Sequence, residues 1–127
     1  MGGRDRPRGW TVRRGEIWWA DLGPYRLQEQ TGRRPVVVWQ SDTLTRALQS
    51  VLVVPLTTNL ERAHLAGTAV LEATEDGPLE PSVALAFQMR AIPKSSLRER
   101  IGVLSEAELA ELELATDEAL GRIEPHD

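Results

Sequence analysis

Short apolar runs separated by Gly, Pro, Asn and Ser recur along most of this chain, and their spacing predicts strands before it predicts anything else. GEIWWAD (15–21) is rich in aromatic and β-branched residues and is bounded by Gly15 and Gly23-Pro24, so it reads as a strand. Successive strand residues face opposite ways, which puts Ile17 and Trp19 on one face and Trp18 and Ala20 on the other. Both faces are apolar. That predicts a strand covered on both sides, or one with a face in the core and a face at an interface. PVVVWQ (35–40), SVLVVPL (50–56), GTAVLEA (67–73) and SVALAFQM (82–89) read as further strands, and RIGVL (100–104) as a short last one. Ile92-Pro93 reads as a break, EDGPLEP as a turn, 22–33 as a long loop and 59–66 as a second polar loop.

Two segments switch to helical spacing. SDTLTRAL (41–48) opens with good capping residues and predicts a short helix. SEAELAELELATDEALGR (105–122) is the clearest helix of the chain. Ser105 with Glu108 three residues on forms a capping box, and Glu106, Glu108 and Glu111 lie near the positive end of the helix dipole. Leu109, Leu112, Ala115 and Ala119 recur as a core stripe, and Gly121 is a stop. Five or six short strands with these helices predict a mainly β (α+β) fold, a small half-open barrel or sandwich with appended helices.

The 127 residues are enough for one cored domain and too few for two. We read 1–13 as a flexible tail, because Gly2, Gly3, Pro7 and Gly9 break structure; Trp10 stands alone there. Residues 14–122 are the domain and 123–127 a frayed end. No apolar run is long enough for a membrane span, the start has no signal-like apolar region, and the absence of cysteine fits a cytosolic location. The formal net charge of −4 argues at first against nucleic acid. Its distribution changes that picture: residues 1–64 carry a net +4 and residues 65–127 a net −8. Fourteen of the fifteen basic residues are Arg, the planar fork suited to phosphate.

Candidate chemistry is limited by what is missing. His64 and His126 have no ligand-like spacing, so no metal or cofactor is expected. Phosphate loops, dinucleotide fingerprints and nucleophile elbows are absent. Glu29, Gln30, Arg33, Arg34, Thr57, Thr58 and Gln88 remain, all at strand ends or in the long loop. If 35–40 and 50–56 pair antiparallel, Thr57 comes close to Arg34. An arginine beside a hydroxyl is an oxyanion clamp able to stabilise a pentacovalent phosphorane. RNA carries its own nucleophile in the 2′-OH, so such a clamp needs no Ser or Cys. The plainer alternative has Arg34 in a salt bridge with Glu29 or Asp42 and Thr57 capping a turn.

The chain also resembles the MazF/PemK/Kid toxins, the endoribonuclease halves of bacterial toxin–antitoxin pairs, from about Arg14 to Gly121. The resemblance rests on four blocks in order: RRGEIWWADLGP, EQTGRRPVVV, VVPLTTN and SVALAFQMRAIPKSSLRERIGVLS. It implies an SH3-like small β-barrel (PemK/CcdB-like), a homodimer, and metal-independent cleavage of single-stranded RNA to a 2′,3′-cyclic phosphate and a 5′-hydroxyl. A cognate antitoxin would block the RNA groove. Arg34 matches the family's catalytic arginine and Thr57 its threonine, with Thr58 as the alternative register. Glu29 and Gln30 match the loop that touches RNA or orders the active site, Gln88 matches a base-contacting Gln, Arg33 is an ordinary basic contact, and Trp19, if it lies on the groove, stacks a base. Phe87 departs from the Glu that many relatives carry, and YRLQEQ from their smaller loop residues, which implies reshaped base pockets. Two non-catalytic readings stand beside this one. A gyrase-poisoning toxin of the same fold depends on a C-terminal Trp, whereas this chain ends in RIEPHD. A protein-binding SH3-like module would use the Trp-rich surface as its interface.

Overall fold

The computed structural model describes residues 11–23 and 32–125. It has the order β1 (Glu16–Asp21), β2 (Arg33–Val38), α1 (Asp42–Ala47), β3 (Ser50–Thr57), β4 (Thr68–Leu71), β5 (Ser82–Leu85), β6 (Arg90–Pro93), β7 (Leu97–Val103) and α2 (Glu106–Ala119). The strands form one antiparallel system in the order β4-β5-β3-β2-β1-β7, with β6 also on β3. The sheet curls round its core without closing into a ring among the described residues, the half-open barrel expected from the pattern.

Both faces of the central strands are covered, as the apolar character of 15–21 requires. Ile17, Val37, Val54 and Leu56 pack with Leu71 and Leu112 in one cluster. Trp18, Val36, Val38, Val51 and Val53 pack with Ile92 and Leu97 in the other. Val12 belongs to this second cluster, so the buried chain starts ahead of Arg14. Trp18 is 2% exposed and donates its Nε1–H to Glu16 Oε1 at 3.0 Å. The same carboxylate accepts the Arg13 N–H and pairs with Arg100. A buried charge with three partners is the form in which a carboxylate is tolerated inside a fold.

The termini of α2 are held as expected. Ser105 Oγ accepts from the Glu108 N–H, the Glu108 side chain returns the bond, and Gly121 follows the helix at φ +76°. Leu112 and Ala115 are buried and Leu109 packs against them, whereas Ala119 is exposed beside Gly67. Trp39 Nε1–H donates to Thr116 Oγ1 at 2.9 Å, and Arg14 lies 4.1 Å over the Trp39 ring while pairing with Glu113. These contacts tie α2 to the start of the domain. Ser41 caps α1, as expected.

Several boundaries differ from the pattern, each for a physical reason. β2 runs Arg33–Val38, not 35–40: β1 pairs with it down to Asp21↔Arg33 and carries the two arginines into the sheet. The strand expected over 82–89 ends at Leu85. Ala86 N–H turns to the Gly67 carbonyl and Ala86–Gln88 form a 3-10 turn. Ile92-Pro93 is not a break but the end of β6, where Pro93 stands opposite Ser50. A proline is tolerated there because an edge strand has one unpaired side. β7 begins at Leu97 rather than 100, and the loop over 59–66 contains a 3-10 turn, Leu60–His64, capped by Asn59. Seven strands result where five or six were expected.

Candidate active site

The groove that collects four of the eight predicted residues arises from a fork between strands. The β2–β3 ladder runs from Val38↔Val53 to Val36↔Pro55 and stops there. β3 continues beside β5, through Leu56↔Ala84 and Thr57↔Val83. Prolines stand on both branches, Pro35 and Pro55, where a missing N–H forfeits least. Past the fork, Arg34 has left the β2–β3 ladder but remains opposite Ala20 of β1. Its guanidinium is half-buried and its Nη1 reaches the Leu56 carbonyl at 3.5 Å, a long hydrogen bond. Antiparallel pairing thus places Arg34 beside Leu56, one residue before the Thr57 expected as its neighbour.

A groove of about 280 Å³ opens at this fork. One wall comprises Trp19, Arg33, Arg34 and Pro35 from β1 and β2, with Leu56 and Thr58 from the end of β3. The other is made by Pro78, Leu79, Glu80 and Ser82, with Ile101 between. Trp19 is half-buried, and Arg33 lies over its ring at 5.5 Å, within cation–π range. Neither Arg33 nor Arg34 has a carboxylate at ion-pair distance among the described residues. Asp42, one suggested partner of Arg34, instead accepts the Arg14 N–H at 2.7 Å. A guanidinium held by β-structure, with no carboxylate partner among the described residues, has donors to spare for an anion.

The remaining candidates divide. Thr58 lines the groove. Thr57, the residue before it, is half-buried and not among the groove-lining residues; its Oγ1 accepts the Asn59 N–H at 3.1 Å, which is the turn-capping role of the plainer alternative. A hydroxyl that accepts one bond still has its own proton to donate. Gln88 sits in the 3-10 turn after β5 and is not among the groove-lining residues. Glu29 and Gln30 lie outside the described residues. The second wall was not foreseen: EDGPLEP reads as a turn, and its place at the groove depends on contacts with β7 that no local pattern announces. Of the tryptophans read as a possible partner surface, Trp18 and Trp39 are buried. Among the described residues no three His, Asp or Glu side chains gather to hold a metal, and no helix is long and apolar enough to cross a membrane.

Fold and groove together define a class of small half-open antiparallel barrels with an arginine-walled cleft where two strands part. The family model described as "PemK-like, MazF-like toxin of type II toxin-antitoxin system" matches residues 13–120, and the chain belongs to that family. It is 34% identical over 110 residues to Endoribonuclease MazF of Staphylococcus epidermidis, covering 87% of this chain and 92% of that one. Among solved structures it is similar to Mycobacterium tuberculosis toxin MazF-mt6, at TM-score 0.70 and 26% identity over 84% of this chain and 96% of that one. A mycobacterial endoribonuclease in complex with its cognate antitoxin shares the fold at TM-score 0.74 and 21% identity, covering 91% of this chain and all of that one.

Proposed function

We propose that this chain is a toxin that cuts single-stranded RNA in the groove at the β2–β3 fork, without a metal or cofactor. The observation that carries the reading is Arg34: a half-buried guanidinium in the groove wall, held through the Leu56 carbonyl and without a carboxylate partner among the described residues. Relatives named as endoribonucleases support the substrate class. The 2′-hydroxyl gives up its proton to solvent as its oxygen attacks the adjacent phosphorus, and the 5′-oxygen takes a proton from solvent as its bond to phosphorus breaks, leaving a 2′,3′-cyclic phosphate and a 5′-hydroxyl. Negative charge grows on the non-bridging oxygens as the phosphorane forms. Arg34 neutralises it, since a guanidinium serves by charge and is a poor base. The Thr57 hydroxyl, fixed by the Asn59 N–H, donates its proton towards the same oxygens. Arg33, Thr58 and Trp19 bind the strand on either side, with Trp19 stacking a base for about 1–3 kcal/mol. Glu29, Gln30 and Gln88 take RNA contacts beyond the groove.

In this reading the toxin works on mRNA in the cytoplasm as a homodimer, and a cognate antitoxin silences it by covering the groove. The antitoxin complex of a solved relative of the same fold supports that partner class. Incubating the purified protein with single-stranded RNA in EDTA tests the chemistry. Discrete fragments ending in cyclic phosphate and 5′-hydroxyl are expected. Intact RNA in EDTA, with cleavage restored by a divalent cation, would refute the metal-free reading.

A further inference from the structure

The groove's second wall has no part in phosphate chemistry, yet it is built with care. It belongs to the connection between β4 and β5, and β7 anchors that connection. The Val103 N–H donates to the Asp76 carbonyl at 2.6 Å. Gly102 permits the approach: a Cβ there would stand 2.3 Å from the Asp76 oxygen and 3.0 Å from that of Gly77, and the first of these is closer than atoms pack. At the other end, buried Ser82 donates its hydroxyl to the Glu80 carbonyl at 2.8 Å. Between the two anchors the chain presents Leu79, 71% exposed, and Glu80 to the groove shared with Trp19, Arg33 and Arg34.

A carboxylate in a groove for a polyanion is unfavourable unless something other than phosphate meets it. Glu80 has no ion pair among the described residues, whereas Glu16, Asp21, Glu113 and Asp117 each have one. It therefore offers two acceptor oxygens and no donor. Unpaired RNA bases are read on their Watson–Crick edges. Guanine presents two adjacent donors there, N1–H and the 2-amino group. Adenine and cytosine each place an acceptor next to their amino group, and uracil sets its single N–H between two carbonyls. Of the four bases, guanine alone matches both carboxylate oxygens.

We propose that the β4–β5 connection is the base-selecting wall of the groove and that Glu80 reads the Watson–Crick edge of an unpaired guanine. Leu79 packs on the face of that base, and the close seat at Gly102 holds the wall in position. The proposal rests on the RNA-cutting reading and deepens it: Arg34 and Thr57 act on a phosphate common to every nucleotide, and Glu80 adds sequence.

The test is to digest a pool of randomised single-stranded RNA with the parent, Glu80→Gln and Gly102→Ala, and to sequence the fragment ends. The parent is expected to show guanine at one position near the cut. Glu80→Gln replaces one acceptor with a donor, so preference there should fall roughly tenfold or more, the size of one good bidentate base contact, and shift to adenine or cytosine. Gly102→Ala should blur the same position and leave the others sharp. If Gly102→Ala does not fold, Glu80→Gln decides, because its side chain is exposed. A Glu80→Gln profile identical to the parent's, or a parent without a guanine position, overturns this proposal and leaves the RNA-cutting reading standing. A parent that cuts no RNA at all overturns both.

Discussion

At the scale of single residues, the domain separates two uses of charge. Glu16 is structural: its buried carboxylate takes the Arg13 N–H, the Trp18 indole N–H and the Arg100 guanidinium. Glu16→Ala removes the carboxylate that accepts the Trp18 indole N–H and the Arg13 N–H and pairs with Arg100, a loss of about 1–3 kcal/mol. Urea unfolding should show that loss as a lower midpoint at unchanged slope; an unchanged midpoint would mean that water replaces the carboxylate. Arg34 is the opposite case, a cation that its environment positions and that no carboxylate among the described residues answers. Pairing with β1 and the Leu56 carbonyl restrict its backbone and side chain, so little ordering is left for the moment of binding. Strand-end position alone does not tell these residues apart, because Glu16 and Arg34 both stand beside apolar runs, and only the resemblance singles out Arg34. The partners that distinguish them come from residues up to 84 positions away.

At the scale of elements, local signals were read where the pattern is long or the cap chemistry is specific. The whole of α2 was legible in its capping box and leucine stripe, and both faces of β1 in its aromatic run. The miss at β6 has one cause: Pro93 looks like punctuation locally and is acceptable only because β3 supplies a partner on one side. The shortened β5 fails for a similar reason, since its apolar run continues into Ala86 and Phe87 while the backbone turns towards Gly67. How far α2 matters can be measured. Its buried face meets the first core cluster through Leu112 and Ala115. Leu112→Ala should therefore cost about 2–5 kcal/mol, while Ser105→Ala, which removes a cap on an exposed helix end, should cost about 1 kcal/mol. Equal losses in a melting experiment would show that the helix is held by its ends and not by its packing.

At the scale of the whole molecule, the net charge of −4 coexists with a groove whose described cations lie on β2, in the positive half of the chain, while α2 carries much of the acidic half. In the proposed reading this segregation is what allows an acidic protein to bind RNA. Binding of single-stranded RNA should weaken with salt at a log–log slope of about −0.7 for each phosphate neutralised. A slope near zero, measured by fluorescence titration, would mean that the arginines of the groove do not meet phosphates. Of the residues singled out in the sequence, Arg33, Arg34 and Thr58 at strand ends and Trp19 in its aromatic run line one groove at the fork. The second wall was invisible because its seat at Gly102 joins segments that no sequence pattern connects. The account turns on Arg34, and the most direct measurement is the single-turnover cleavage rate of Arg34→Ala against the parent on one defined RNA. Arg34→Ala should cut more slowly by roughly 10²–10³ while melting with the parent. A folded Arg34→Ala that cuts at the parent's rate would contradict it.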